Sequence, residues 1–303
     1  MNQDKITEVF VEVDDFCQKF QKTIAETRKL ASNGLKKNRN RASQMSDSEI
    51  ITILICFHLG AHRCFKHYYL QIIKEHYECL FPNLLIYNRF IELQSKVAVP
   101  FMLFLKECRL GNCTGISFID STSIKVCKNQ RIYWHKTFKD VAQRGKTSMG
   151  WFFGFKLHLI INEKGEILSF FLSKGNKDDR DRKVVEDLTK HVFGKLFGDK
   201  GYLSSSLFDR LFQNGIHLIT KVKKNMKNHL MELKDKILLR KRALIETVND
   251  ELKNMCQLEH SRHRSINGFL LNIISTLVAY SYFPKKPSLN IHLEKTNQLN
   301  LFA

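Results

Sequence analysis

The order of apolar segments after Gly111 is the feature that most constrains the fold of this 303-residue chain. Short apolar runs bounded by Gly and polar residues, which are typical of strands, alternate there with segments of helical period. The resulting order, β-β-β-α-β-α-β, predicts a central sheet that is partly parallel and flanked by helices. Strands are expected at residues 116–120, 154–162, 166–172, 195–199 and 216–222, with a hairpin turn at 162–165, and helices at 182–191, 204–213 and 240–254.

Residues 1–110 have a different pattern, in which apolar side chains recur at helical spacing. Ile6, Val9 and Val13 lie on one helical face, and Ser46 with Glu49 has the spacing of a capping box before the apolar run 50–59. Further apolar-rich segments at 68–80 and 84–110 complete an all-helical part. No helix-turn-helix signature is evident in it.

The charge of the chain points to a polyanionic partner. Lys and Arg number 49 against 30 Asp and Glu, which gives a net charge of +19. A membrane is the weaker alternative, because the most apolar stretches, 50–59 and 268–283, are too short or are interrupted by polar residues. The first residues lack the pattern of a secretion signal, and the eight scattered Cys fit reduced thiols, so a cytoplasmic protein that binds nucleic acid is expected.

Two aspartates follow buried strands, where a carboxylate is costly unless its charge is compensated. Asp120 ends the first predicted strand and Asp199 ends the fourth. Each alone would more often cap a turn, but together they favour Mg²⁺, which prefers carboxylate oxygens. A pair of ions about 3.5–4 Å apart would suit phosphodiester chemistry, with Asp120 bridging both. Glu246, with Arg242 one helical turn before it and Lys253 two turns after it, is the candidate for a third carboxylate.

These residues resemble the three acidic motifs of DDE transposases. The motifs are Phe118-Ile-Asp120-Ser-Thr, Gly198-Asp199-Lys-Gly-Tyr202, and Arg242-x3-Glu246-x6-Lys253. The blocks Gly175-Asn-Lys-Asp-Asp179 and Trp151–His158, with the helical part from Gly34 onward, are similar to the insertion-sequence family nine-eight-two. One position departs from related transposases, since Leu239 stands where a Tyr often precedes the Arg of the third motif.

The resemblance implies a ribonuclease-H-like catalytic core behind a helical N-terminal domain. The expected boundaries are 1–110 for a helical domain that binds DNA or oligomerises, 111–283 for the DDE catalytic domain and 284–303 for a C-terminal tail. It also implies metal-dependent hydrolysis at the ends of a mobile element, followed by attack of the freed 3′ hydroxyl on target DNA. The implied cofactor is a pair of Mg²⁺ ions, for which Mn²⁺ can substitute, and no nucleotide is needed.

Basic residues around the acidic motifs are candidates for DNA contact. Arg242 and Lys253 are placed beside phosphates by the third motif, and the basic run from Lys221 to Arg242 fits the DNA backbone better than a merely solvated face. The segment 131–146 combines cations with Tyr133 and Trp134. These two aromatic side chains are expected either to contact unpaired DNA or to be buried in the core. The expected DNA-binding set is Arg242, Lys253, Lys221, Lys223, Lys224, Lys227, Arg240, Lys241, Lys136 and Lys146, and the supporting set is Lys200, Tyr202 and Asp179.

Three other patterns have simpler interpretations. The acidic cluster Asp178, Asp179 and Asp181 suits the start of the following helix, although a role near the metals stays open. The Cys and His residues between Cys56 and His67 lack the paired spacing of a zinc site. Gly145-Lys-Thr147 lacks the Gly that a phosphate-binding loop needs, because Asp140 stands there.

The sequence thus predicts a bacterial insertion-sequence transposase that acts on the nucleoid. Its partners would be its own terminal inverted repeats, the target DNA and a second copy of the chain, because two element ends need two active sites. The alternatives are a ribonuclease-H-like nuclease or resolvase that cuts without joining, and a DNA-binding regulator with an inactive triad.

Overall fold

A computed structural model of the protein describes residues 2–31, 43–221, 231–259 and 263–289. Four sequence candidates, Gly34, Lys223, Lys224 and Lys227, lie outside the described residues, as does the tail from residue 290 onward. The remaining predicted site residues can all be located.

The N-terminal part is helical, as its apolar spacing predicts. Ile6, Val9 and Val13 are buried on one face of the first helix. The second helix begins at the expected capping box, in which Ser46 and Glu49 bond each other's backbone N–H groups. The regions 68–80 and 84–110 are broken into short helices and π or 3₁₀ turns rather than continuous helices. The helices here are α1 (Gln3–Ala31), α2 (Asp47–Leu59), α3 (Phe65–His67), α4 (Lys74–His76), α5 (Tyr87–Gln94) and α6 (Ala98–Phe104).

The described residues after Gly111 form a six-stranded sheet. Its strands are β1 (Ile116–Cys127), β2 (Gln143–Thr147), β3 (Gly150–Asn162), β4 (Ile167–Lys174), β5 (Gly194–Gly198) and β6 (Ile216–Thr220). The helices of this part are α7 (Arg182–Thr189), α8 (Ser205–Gln213), α9 (Leu233–Arg240), α10 (Ala243–Asp250) and α11 (Ile266–Ser281).

The sheet is mixed, with both antiparallel and parallel pairs of strands. β3 is antiparallel to β1 on one side and to β2 and β4 on the other, whereas β1, β5 and β6 are parallel neighbours. The chain passes through α7 between β4 and β5 and through α8 between β5 and β6. The mixed sheet and the order β-β-β-α-β-α-β predicted from the sequence are therefore confirmed, with β2 as an additional short strand.

The hairpin between β3 and β4 turns at the predicted residues. Gly165 has a φ of +72°, which only Gly adopts without strain. The Asn162 side-chain oxygen accepts hydrogen bonds from the backbone N–H groups of Lys164 and Glu166, at 3.0 and 2.9 Å. This turn fixes the register in which β4 lies against β3.

Side chains of the sheet alternate between two cores. Phe118 and Phe197 face the core that includes α1, α2, α6, α10 and α11, whereas Ile119 and Leu196 face the core formed with α7 and α8. The N-terminal helices thus share one core with the sheet. Within the described ranges, no helix is both long and apolar enough to cross a membrane.

Candidate active site

Asp120 and Asp199 lie side by side at the carboxyl ends of two parallel strands. Phe118 of β1 is in register with Phe197 of β5, and their ring centroids are 5.5 Å apart. Each aspartate comes two residues after one of these phenylalanines and therefore faces the same side of the sheet. Asp199 also accepts a hydrogen bond from the backbone N–H of Lys200 at 2.6 Å. The two aspartates therefore share one edge of the sheet, as their positions after apolar strands in the sequence predict.

Helix α10 packs over that edge and contacts both oxygens of Asp120. Arg242, just before the helix, has Nη1 3.7 Å from Asp120 Oδ1, and Asn249 donates from Nδ2 to Oδ2 at 3.0 Å. Arg242 also forms an ion pair and a hydrogen bond with Glu246. One guanidinium therefore joins Asp120 to Glu246.

Burial controls the electrostatics of Asp120. It raises the pKa of this carboxyl to about 6, because the ionised form loses water; the positive charge of Arg242 acts in the opposite direction. The negative charges of Glu246 and Asp199 add smaller increases to the pKa of Asp120. A bound cation would remove the cost of ionising this buried group.

The donors at this edge fit a hard divalent cation in kind. They are carboxylate oxygens, joined by the Asn249 Oδ1 atom, which is buried and has no hydrogen-bond partner in the described structure. Across residues 2–31, 43–221, 231–259 and 263–289, no three His, Cys, Asp or Glu side chains converge closely enough to hold a metal. The guanidinium of Arg242 lies between two of the candidate ligands.

Asp179 lies on the opposite face of the sheet from the Asp120 carboxylate. Its Oδ1 atom accepts a hydrogen bond from Ser121 Oγ at 2.9 Å and pairs with Lys156 Nζ at 3.0 Å. Burial lowers the pKa of the nearby His158 to about 4, so this imidazole is neutral at physiological pH. Asp179 therefore ties the loop after β4 to the residue next to Asp120 in the chain.

The remaining acidic and supporting residues occupy distinct positions. Asp181 accepts a hydrogen bond from the backbone N–H of Val184 at the start of α7, which confirms its helix-start role. Tyr202 is buried in the core beneath α7 and α8, and burial raises its pKa well above the ordinary value. Lys200 is exposed.

The predicted DNA-contact residues are mostly exposed. Lys253 differs: it is half-buried in a π-helical turn after α10, and its pKa is lowered, chiefly by burial. Tyr133 and Trp134 are 81% and 83% exposed, so the alternative that they belong to a core is wrong. The exposed cations of the set are Lys136, Lys146, Lys221, Arg240 and Lys241.

Asn249 and the residues that hold Asp179 are not among the site residues predicted from the sequence. Asn249 is three residues after Glu246, so a helical projection already places both on one face. Ser121, in contrast, meets Lys156 and Asp179 only through the register of β1 with β3. Sequence spacing contains no signal for that contact.

Comparison with known proteins identifies the family. Residues 110–266, just over half of the chain, match the family model described as the transposase DDE domain. The chain belongs to the family of DDE transposases, enzymes that cut and join DNA. Its closer assignment to the insertion-sequence family nine-eight-two stays a prediction.

Two solved transposase structures are similar to the chain. The piggyBac transposase synaptic complex with hairpin DNA is 12% identical, with a TM-score of 0.43, over 90% of this chain and 72% of that one. The Mos1 strand transfer complex is 11% identical, with a TM-score of 0.24, over 93% of this chain and 96% of that one. A search among curated protein sequences finds no significant match.

Proposed function

We propose that the protein is the transposase of an insertion sequence. It binds the terminal inverted repeats of its own element, hydrolyses phosphodiester bonds there and joins the 3′ hydroxyl ends to target DNA. The observation that carries this proposal is that Asp120 and Asp199 each lie two residues after the paired Phe118 and Phe197, with Glu246 linked to Asp120 through Arg242. The family of the chain supplies the reaction class.

The proposed metal ligands are Asp120, Asp199 and Glu246, which would hold Mg²⁺ or, in its place, Mn²⁺. When bound, such ions activate the attacking water or hydroxyl and stabilise the leaving oxygen. Asn249 holds the Asp120 carboxylate in place through its amide N–H. Arg242 neutralises Asp120 and Glu246 in the absence of metal, and in the complex it contacts a DNA phosphate instead.

The proposed DNA path follows the cations around this edge. Arg240 ends α9 and Lys241 follows it; both are exposed and come immediately before Arg242, and Lys221 follows β6. The side chain of Lys253 extends less far toward the DNA, because it is half-buried. Two copies of the chain act together on the two element ends, on the DNA of the bacterial nucleoid.

The test is an end-cleavage and joining assay with the DNA that flanks the coding sequence. Duplexes that carry its terminal repeats are incubated with the protein, Mg²⁺ or Mn²⁺, and a circular target plasmid. The expected products are nicks at the repeat ends and plasmid joined to those ends, and excess EDTA abolishes both.

Pre-cut ends with a free 3′ hydroxyl distinguish the alternatives. If the protein nicks intact repeats but does not join pre-cut ends to the plasmid, the nuclease or resolvase is favoured. Repeat binding with neither reaction would favour a regulator, and either result would overturn the transposase proposal.

A further inference from the structure

Four large apolar side chains are exposed together at the end of the sheet where β2 and β3 meet. Tyr133, Trp134, Met149 and Trp151 are 81%, 83%, 93% and 63% exposed, respectively; we call them the aromatic patch. Single exposed apolar residues are common, but a cluster drawn from separate chain segments marks an interaction surface.

Direct contacts join two members of the patch, Tyr133 and Trp151, to neighbouring residues. Arg144 of β2 lies over the Tyr133 ring, with its Cζ 5.5 Å from the ring centroid, and Lys146 lies over Trp151 at 5.6 Å. Asn129 donates a hydrogen bond to the Trp151 carbonyl oxygen at 2.8 Å, which joins the 3₁₀ turn Asn129–Trp134 to β3. The aromatic rings are thus presented by hydrogen-bonded backbone.

The surrounding charge favours an anionic partner. Residues 128–151 contain six Lys and Arg but a single acid, Asp140. A second copy of this chain would bring the same positive charge to a symmetric contact and be repelled. A nucleic acid is attracted by it.

Rings and cations together fit unpaired DNA better than a duplex. Cations alone are sufficient to hold duplex phosphates, whereas a duplex keeps its base faces stacked and unavailable. Unpaired bases stack on exposed aromatic rings while neighbouring cations contact the phosphates.

The patch lies away from the candidate carboxylates but on their side of the sheet. Trp151 is eight residues before Leu159, the β3 partner of Asp120, and alternation places both side chains on one face. At about 3.3 Å per residue, Trp151 lies roughly 26 Å along the strand from the level of Asp120.

We propose that the aromatic patch binds unpaired DNA at a distance from the candidate carboxylates, by stacking bases on Trp134, Tyr133 and Trp151. The inference rests on the proposed function, since it assigns to this surface a part of the same DNA substrate. Arg144 and Lys146 contact the phosphates of the stacked nucleotides.

Tryptophan fluorescence gives a direct test, because the only two tryptophans of the chain, Trp134 and Trp151, both belong to the patch. The full-length protein is titrated in EDTA with a twelve-nucleotide oligothymidylate and with a blunt duplex of equal length. We expect saturable quenching by the single strand at concentrations at which the duplex quenches little. Equal quenching by both DNAs, or none by either, would overturn the proposal.

Variants show which aromatic rings bind the single strand. Their binding is measured by the anisotropy of a fluorescein-labelled oligonucleotide. Trp134→Ala, Tyr133→Ala and Trp151→Ala should each weaken single-strand binding about tenfold or more, and Trp134→Phe should retain most of it. Phe212→Ala is the matched control, because Phe212 is 64% exposed on α8, outside the patch, and its loss should change nothing. An effect of Phe212→Ala equal to that of Trp134→Ala would contradict the assignment.

Sedimentation of the same variants separates DNA from a protein partner. Reduced self-association of Trp134→Ala with unchanged single-strand binding would overturn the proposal in favour of a chain–chain interface. Because binding is measured without metal, an inactive protein that still binds single strands refutes the proposed function alone. An active transposase whose patch variants bind normally refutes this inference alone.

Discussion

The two oxygens of the Asp120 carboxylate have different partners, and only one partner carries charge. Arg242 faces Oδ1 and is available to leave for a phosphate, whereas the neutral amide of Asn249 donates to Oδ2. The Asn249 hydrogen bond uses only one lone pair of the carboxylate, so the others stay available to a cation. Asn249 therefore keeps the carboxylate oriented whether or not a metal is present.

Replacing Asn249 should weaken metal binding without weakening DNA binding. Asn249→Leu removes the N–H donor at similar volume, and the lost hydrogen bond of about 1 kcal/mol predicts roughly five- to tenfold weaker Mn²⁺ binding by calorimetry. The control is Asn254→Ala, which removes an exposed amide bonded to Asp250. Wild-type Mn²⁺ affinity in Asn249→Leu would show that the contact is incidental.

Glu246 and Glu251 should respond differently to the same substitution. Glu246→Gln, like Asp120→Asn and Asp199→Asn, should abolish cleavage and joining yet leave end binding intact or tighter, because negative charge beside DNA is removed. Glu251→Gln should stay active, because burial raises the pKa of Glu251 and its charge acts on Tyr280 and Cys256 in the core instead. Parallel nicking and binding assays, with circular dichroism to verify folding, decide the matter. An active Glu246→Gln protein would exclude Glu246 as the third ligand.

The raised pKa of Asp120 predicts that metal affinity falls in mild acid. A carboxyl with a pKa of about 6 is mostly ionised at pH 7 but only about one-tenth ionised at pH 5, so Mn²⁺ binding should weaken roughly tenfold. Because the charge of Arg242 lowers this pKa, Arg242→Gln should move the transition to higher pH. Calorimetric titrations at several pH values test both statements. Constant affinity from pH 7 to pH 5 would contradict them.

At the scale of secondary structure, Asp179 fastens the loop between β4 and α7 to the middle of β1. Asp179→Ala leaves Lys156, whose side chain is 13% exposed, without its anion, so the free energy of unfolding should fall by about 2 kcal/mol. Asp178→Ala is the control, since the Asp178 pair with Arg180 is exposed and local, and should cost less than about 1 kcal/mol. Urea denaturation measures both. Equal losses would mean that Asp179 has no special part in holding the loop.

The sequence predicted those elements whose signal is local. The capping box at Ser46 and the turn at Asn162 are formed by neighbouring residues, and both appear in the structure. The extension of β1 beyond Asp120 and the existence of β2 depend on pairing with the start of β3, whose residues are distant in sequence. Local pattern cannot show such pairing.

The same distinction applies to the candidate site. Asp120 and Asp199 were predictable as neighbours because parallel strands place their ends at one edge. The contact between Asn249 and Asp120 depends on how α10 packs on the sheet, which spacing alone does not give. The expected helix 240–254 starts instead at Ala243 and continues after Asp250 as a π turn.

For the whole molecule, the net charge of +19 should make DNA binding strongly salt-dependent. Each phosphate neutralised adds about −0.9 to the slope of log K against log salt. The double variant Arg240→Gln, Lys241→Gln should lose one to two phosphate contacts, so the slope should become less negative by about 0.9 for each. Lys190→Gln, which removes an exposed cation paired with Asp187 on α7, should leave it unchanged. Filter binding across a salt series provides the slopes, and a salt-independent affinity would refute the electrostatic account.

The positions of Trp134 and Trp151 also determine how the stability of this molecule can be followed. Both indoles are largely in water in the native state, while the core is built from Phe, Tyr and aliphatic side chains. Denaturation therefore moves neither indole from an apolar to an aqueous environment, and the emission maximum should hardly shift as the core comes apart. An apparently flat fluorescence melt of this protein would say nothing about its stability, and loss of helical circular dichroism is the signal that reports it.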